Sequence, residues 1–169
     1  MTPARSKWTR QAFFLFQNAY RRVAAHGIVL DRLRAGDGVR LLWYVGIGAA
    51  IGGMSRFLLG SFIQQRTGGD FPTGTLVINV TGSFVLGIIM RYAFQTDAVS
   101  PEMRALLASG FCGGYTTFST FSYETAILVE DGEYGRAALY VGSSVAVALL
   151  FMFLGFATAQ RLLLSRTPG

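Results

Sequence analysis

The sequence predicts an all-α membrane protein of four transmembrane helices, the third of them broken near Gly113 to Thr117. Three observations carry that expectation. Of 169 residues, 51% are hydrophobic and only 14% charged, with a positive mean hydropathy, a balance that suits lipid better than water. Four apolar segments, at residues 41–63, 73–90, 103–129 and 137–159, approach or exceed the roughly 20 residues needed to cross a bilayer core. The third segment also carries two adjacent glycines and a band of hydroxyls, which a helix that only crossed lipid has no use for.

Ahead of the first span lies a basic extension, residues 1–40, with eight basic and two acidic residues. It holds the whole formal net charge of +6, and the remainder of the chain is neutral. Trp8, Ala12, Leu15, Phe16, Ala19 and Val23 recur at helical spacing with arginines on the other side. That pattern describes an amphipathic helix lying on an anionic cytoplasmic leaflet, set against a passive tail as the bland alternative. Nucleic acid explains the charge poorly, because none of the excess falls on the main body.

The first span contains Gly48 and Gly52 four apart, followed by Gly53, a small-residue face for close helix packing. Arg56 lies within the same span, roughly two turns from its end. It either snorkels or pairs inside the bundle, and in both cases adds positive potential where an anion might pass.

In the second span Thr75, Asn79 and Ser83 stand four apart and share one helical face. An asparagine at that depth has to be paired; it makes an interhelical hydrogen bond or aims its N–H donors into a polar pathway. The spacing leaves both open.

The third span contains the stretch GGYTTFSTFSYE, beginning at Gly113. Glycine tolerates non-helical dihedrals and threonine hydroxyls satisfy freed backbone groups, so the helix is expected to open there. Broken helices at membrane depth line cavities or present carbonyls to ions. Phe118 and Phe121 share one face of the half-helix beyond the break, and an aromatic edge is positive enough to favour an anion in a dry site. Ser119 and Thr120 add hydroxyls beside them, and Glu124 is the only acidic residue within the spans. Tyr140 and Ser144, four apart on the last span, extend the polar track, and residues 164–169 form a short tail.

Enzyme chemistry has little to stand on. Cys112 is the only cysteine, so neither an internal disulfide nor a cysteine-based metal site can form. The sole histidine, His26, lies outside the spans, and no phosphate loop or nucleophile elbow is present. The chain is expected not to be an enzyme.

GGYTTFSTFSYE, together with the Gly-Thr-Leu-x-x-Asn-x-x-Gly-Ser run of the second span and Gly-Gly-x-x-Arg-Phe of the first, closely resembles the fluoride channel family known as Fluc or CrcB. The resemblance covers residues 41–159, within a channel domain taken as 41–163. It implies an antiparallel, dual-topology homodimer with two pores that passes fluoride passively out of the cell and so lowers its toxicity in the cytoplasm. By position it assigns Asn79, Phe118, Phe121, Ser119 and Thr120 to the fluoride pathway, with Tyr140 and Ser144 as partners on the last span. It also assigns the backbone carbonyls of Gly113 and Thr116 to a structural sodium ion at the dimer centre. Arg56 and Glu124 are secondary candidates.

Two departures from the family stand out. Members are usually little more than the four spans, and here Ala148 sits one turn beyond Ser144 where a further hydroxyl would continue the track. The expected location is a bacterial inner membrane, with several crossings. Loop arginines and the extension together place both termini in the cytoplasm, whereas a dual-topology dimer needs half the copies inverted. The second subunit is then either an inverted copy of this chain or an oppositely inserted paralogue. Two competing readings are a small four-helix exporter of organic cations and a non-conducting assembly subunit. The exporter needs a carboxylate in the first span, which has none, and a scaffold has no need of a helix break beside paired aromatic rings.

Overall fold

A computed structural model of the chain describes residues 37–96 and 98–165, and among them no strand occurs. The extension's amphipathic helix and the end of the tail fall outside the described residues. The order is α1 (Asp37–Thr67), α2 (Thr73–Gln95), the single turn α3 (Pro101–Arg104), a π-helical segment (Ala105–Cys112), α4 (Gly113–Tyr115), α5 (Phe118–Glu130) and α6 (Tyr134–Leu164). Among the described residues, three helices can cross a membrane by length and composition: α1 from Gly38, α2 and α6. The third apolar segment of the sequence is instead divided among four short pieces, none long enough alone.

Large apolar side chains such as Trp43, Phe57, Leu58 and Phe153 face outward, an arrangement that water would oppose and lipid welcomes. The chain is a multi-pass helical membrane protein. Its most deeply buried large side chains are Tyr140, Ile78 and Cys112, which tie α6, α2 and the π-helical segment to one interior.

Helix approach depends on missing side chains. On α2, a Cβ at Gly87 would stand 2.5 Å from the Met152 carbonyl of α6, and one at Gly155 would collide with the Phe84 carbonyl. Phe84 and Phe151 meet edge to face at 6.2 Å between centroids across the same pair of helices. On α1, Gly48 and Gly52 lie against the carbonyls of Leu106 and Phe111, whereas Gly53 faces open space. The small-residue face of the first span is therefore a packing surface for the π-helical segment, and Gly53 takes no part in it.

The chain does not open at its paired glycines. Gly113 is helical, at φ −64° and ψ −37°, and it is Thr116 and Thr117 that are extended. Gly114 serves close approach, since a Cβ there would be 2.5 Å from the Ala49 carbonyl. Threonine succeeds at the break because its hydroxyl replaces the bonds the backbone gives up, as described next.

Candidate functional site

At the break, Thr116 holds the preceding turn by donating from both its N–H and its Oγ1 to the Cys112 carbonyl, at 2.9 and 3.0 Å. Thr117 belongs to neither helix, and Asn79 of α2 reaches across to it. The Thr117 N–H donates to Asn79 Oδ1 at 2.7 Å, and Asn79 Nδ2 donates to the Thr117 carbonyl at 3.0 Å. One side-chain amide thus satisfies both backbone groups of the central residue of the break. Asparagine has two N–H donors, and the second is not needed for this clamp.

Thr117 also caps α5: its Oγ1 accepts from the Thr120 N–H at 3.1 Å and donates to Thr120 Oγ1 at 2.9 Å. Ser119 Oγ lies 3.3 Å from the same hydroxyl. In an uninterrupted helix the Thr117 N–H would go to the Gly113 carbonyl, and the Thr120 N–H to the Thr116 carbonyl. Both donors are diverted, one to Asn79 and the other to the Thr117 hydroxyl. The carbonyls of Gly113 and Thr116 have therefore lost the partners that would continue the helix. Neutral oxygens of this kind are the ligands a hard cation takes. Among the described residues no His, Cys, Asp and Glu cluster could hold a metal instead.

Two cavities adjoin the break, and Thr117 lines both. The smaller, about 360 Å³, is bounded by Asn79, Ser83, Phe118, Phe121 and Ser144, with Leu86, Val145, Ala148 and Leu149 on its apolar side. Ser144 Oγ is buried and has no hydrogen-bond partner among the described residues. The Phe118 and Phe121 rings are 5.5 Å apart, and Phe118 is 79% exposed.

The larger cavity, about 560 Å³, is lined by Arg56, Ser61, Gln64, Thr75, Thr120 and Glu124 among others. Among the described residues, Arg56 and Glu124 are its only charged linings. The Glu124 carboxylate accepts from Thr75 Oγ1 at 2.8 Å and from the Tyr140 hydroxyl at 2.6 Å. It is held by two hydroxyls, one from α2 and one from α6.

The residues expected to form one track are thus divided. Asn79, Phe118, Phe121 and Ser144 share the smaller cavity, while Thr120, Arg56 and Glu124 share the larger. Tyr140 lines neither: it is fully buried, with its hydroxyl on Glu124 and its ring 5.2 Å from that of Phe121. Ser119 and Gly113 are exposed on the surface. Sequence reasoning placed Thr117 at the break but not among the site residues, although a threonine at the start of a half-helix is a capping signal. It also missed Gln64, which lines the larger cavity and for which no local pattern exists.

The family model described as "CrcB-like protein, Camphor Resistance (CrcB)" matches residues 43–156. The protein of Geotalea daltonii named fluoride-specific ion channel FluC is 44% identical over 117 residues, covering 69% of this chain and 94% of its own length. Its namesake from Geobacter metallireducens is 47% identical over 113 residues, covering 67% and 91%. A third, from Thermus thermophilus, is 43% identical over 119 residues, covering 70% and 93%. The matched region holds the broken segment, the asparagine clamp and both cavities, and the chain belongs to the CrcB family.

Proposed function

We propose that the chain is a fluoride-selective ion channel that lets fluoride leave the cytoplasm passively and so lowers its toxicity. It is a channel and not an enzyme. The observation that carries this is the smaller cavity, where the clamping amide of Asn79, the unpartnered hydroxyl of Ser144 and the rings of Phe118 and Phe121 converge. Fluoride is small and strongly hydrated, so a dry passage has to offer close-set donors in place of water. Hydroxyls, an amide and ring edges supply these without a full positive charge in the narrowest part, where tight binding would stop conduction. Arg56 stands in the larger cavity, where it favours anions before they reach that part.

The pieces from Pro101 to Glu130 make the fourth crossing as a composite, with the break lying against the cavities. A single copy leaves Phe118, Ser119, Ser122 and Gly113 exposed. Hydroxyls and free carbonyls facing lipid favour a second subunit in antiparallel orientation, which would cover them and complete two pores. That subunit is an inverted copy or an oppositely inserted paralogue. A structural sodium ion at the dimer centre would be held by the carbonyls of Gly113 and Thr116 from both copies, and would tie the two breaks together. The protein then resides in a bacterial inner membrane, with both termini cytoplasmic wherever charge alone sets the orientation.

The test is fluoride release from liposomes containing only this purified protein, followed with a fluoride electrode. Rapid fluoride efflux with chloride retained is expected. Retained fluoride in vesicles that hold folded protein, or equal passage of chloride, contradicts the assignment.

A further inference from the structure

We propose that Phe71, on the loop between α1 and α2, is a positioning residue for conduction: it braces Tyr140, and through Tyr140 sets the ring of Phe121. The proposal rests on the functional reading above, which places Phe121 on the fluoride pathway.

An unbroken series of rings runs from the loop to the smaller cavity. Phe71 meets Tyr140 edge to face, at 5.6 Å and 81°. Tyr140 meets Phe121 at 5.2 Å and 50°, and Phe121 meets Phe118 at 5.5 Å and 42°. Tyr140 is held at three points: Glu124 at its hydroxyl, and the rings of Phe121 and Phe71 against its own. With no exposed surface of its own, it moves only if one of these yields. Phe121 and Phe71 both pack against the buried cluster of Leu128, Ala137 and Tyr140, so the brace is seated in core and not in solvent.

The loop is built to hold Phe71 in place. After the left-handed turn at Gly68, with φ +52°, a single side chain binds the loop on both flanks. Gln64 Nε2 donates to the carbonyls of Gly69 and Phe71, at 2.9 and 3.1 Å. Gln64 Oε1 accepts from the Gly74 N–H at 3.0 Å and from Thr73 Oγ1 at 3.3 Å. Both donors and both lone pairs of one amide are spent on a short connection, far more than is needed merely to link two helices. Asp70 lies 3.6 Å from Arg136 of α6, but both side chains are largely in solvent and their pairing adds little. Placement of the loop rests on Gln64 and on the Phe71 ring, together with the contact between the Thr67 and Thr73 hydroxyls and the Thr73 N–H that donates to the Phe71 carbonyl at 2.8 Å.

Phe71→Leu removes the ring and keeps an apolar side chain, and Phe71→Met restores bulk without a ring. Both are expected to lower fluoride efflux from proteoliposomes by about two- to tenfold, the fold-change that matches loss of one aromatic pair. Phe71→Tyr, which keeps the ring, is expected to retain the flux. Asp70→Asn is expected to leave it unchanged. Size-exclusion profiles and melting temperatures in detergent report whether each variant is folded. A folded Phe71→Met as active as Phe71→Tyr overturns the proposal, because bulk alone would then suffice. Should neither aliphatic variant fold, Thr73→Val loosens the loop with the ring intact and touches neither cavity; reduced flux there supports the brace and normal flux overturns it. An unmodified protein that passes no fluoride refutes the channel reading itself, whereas a conducting one with unaffected variants refutes only the role of Phe71.

Discussion

Replacing Asn79 with leucine keeps its branched heavy-atom shape and strips its amide from the break. Two bonds disappear, Thr117 N–H to Asn79 Oδ1 at 2.7 Å and Asn79 Nδ2 to the Thr117 carbonyl at 3.0 Å. Thr117 is only 7% exposed, so water does not readily take their place. Stranding a buried backbone donor or acceptor costs about 1–3 kcal/mol, and two such groups make roughly 2–6 kcal/mol. Interhelical side-chain bonds in membranes average about 0.6 kcal/mol, because the separated helices find other partners. Thr81→Val represents that weaker class, removing hydroxyl contacts to the Val77 carbonyl at 2.7 Å and to the Tyr115 hydroxyl at 3.1 Å. Equilibrium unfolding in detergent should therefore separate the two variants clearly, with Asn79→Leu the less stable by a few kcal/mol. Its fluoride efflux in proteoliposomes should also fall, since the position of α5 and its rings depends on the clamp. Asn79→Asp keeps an acceptor for the Thr117 N–H but sets a carboxylate against the Thr117 carbonyl, and should lose flux as well. An Asn79→Leu protein as stable as Thr81→Val and conducting normally would refute the role given to the clamp.

Gly52→Ala should disrupt packing of α1 on the broken segment, because its Cβ meets the Phe111 carbonyl and lies 2.9 Å from the Tyr115 N–H; Gly53→Ala, with nothing within 4 Å, should be tolerated, and melting temperatures decide. Phe118→Ile and Phe121→Ile should each strongly reduce fluoride efflux while leaving folded protein, since isoleucine keeps bulk but has no positive ring edge; normal flux in both would remove the rings from the pathway. Thr116→Ser should conduct normally, because the backbone carbonyl and a hydroxyl able to bond Cys112 are both kept, whereas rigorous sodium removal should weaken subunit association; unchanged association without sodium counts against the cation site. Deleting residues 1–38 should shift a cysteine placed in the loop after α1, in a Cys112→Ala background, from one-sided labelling in cells toward labelling from both sides, as the resistance of about 1 kcal/mol per basic residue of the extension is lifted; equal two-sided labelling of the full chain would show that the extension does not orient it.

The sequence by itself determined the solvent this protein folds in and the place where one helix gives way. Both are local properties: span length follows from rise per residue against bilayer thickness, and a run of hydroxyls after Gly113 and Gly114 marks where backbone bonds can be exchanged. Asn79 and Ser144 were legible as polar groups out of character for a lipid-facing helix, and Phe118 and Phe121 by their spacing among the hydroxyls. Only the tertiary structure decided what they do together. Asn79 and Thr117 are 38 residues apart, and no helical spacing foretells that one amide would take both backbone groups of the other. Gly52 and Gly53 are adjacent and chemically identical, yet about 100° of helical rotation buries one against Phe111 and leaves the other in the open. The division of the polar residues between two cavities depends on how α2, α5 and α6 cross. Phe71 is the extreme case: one phenylalanine among fourteen, set apart by the packing that puts Tyr140 beside it.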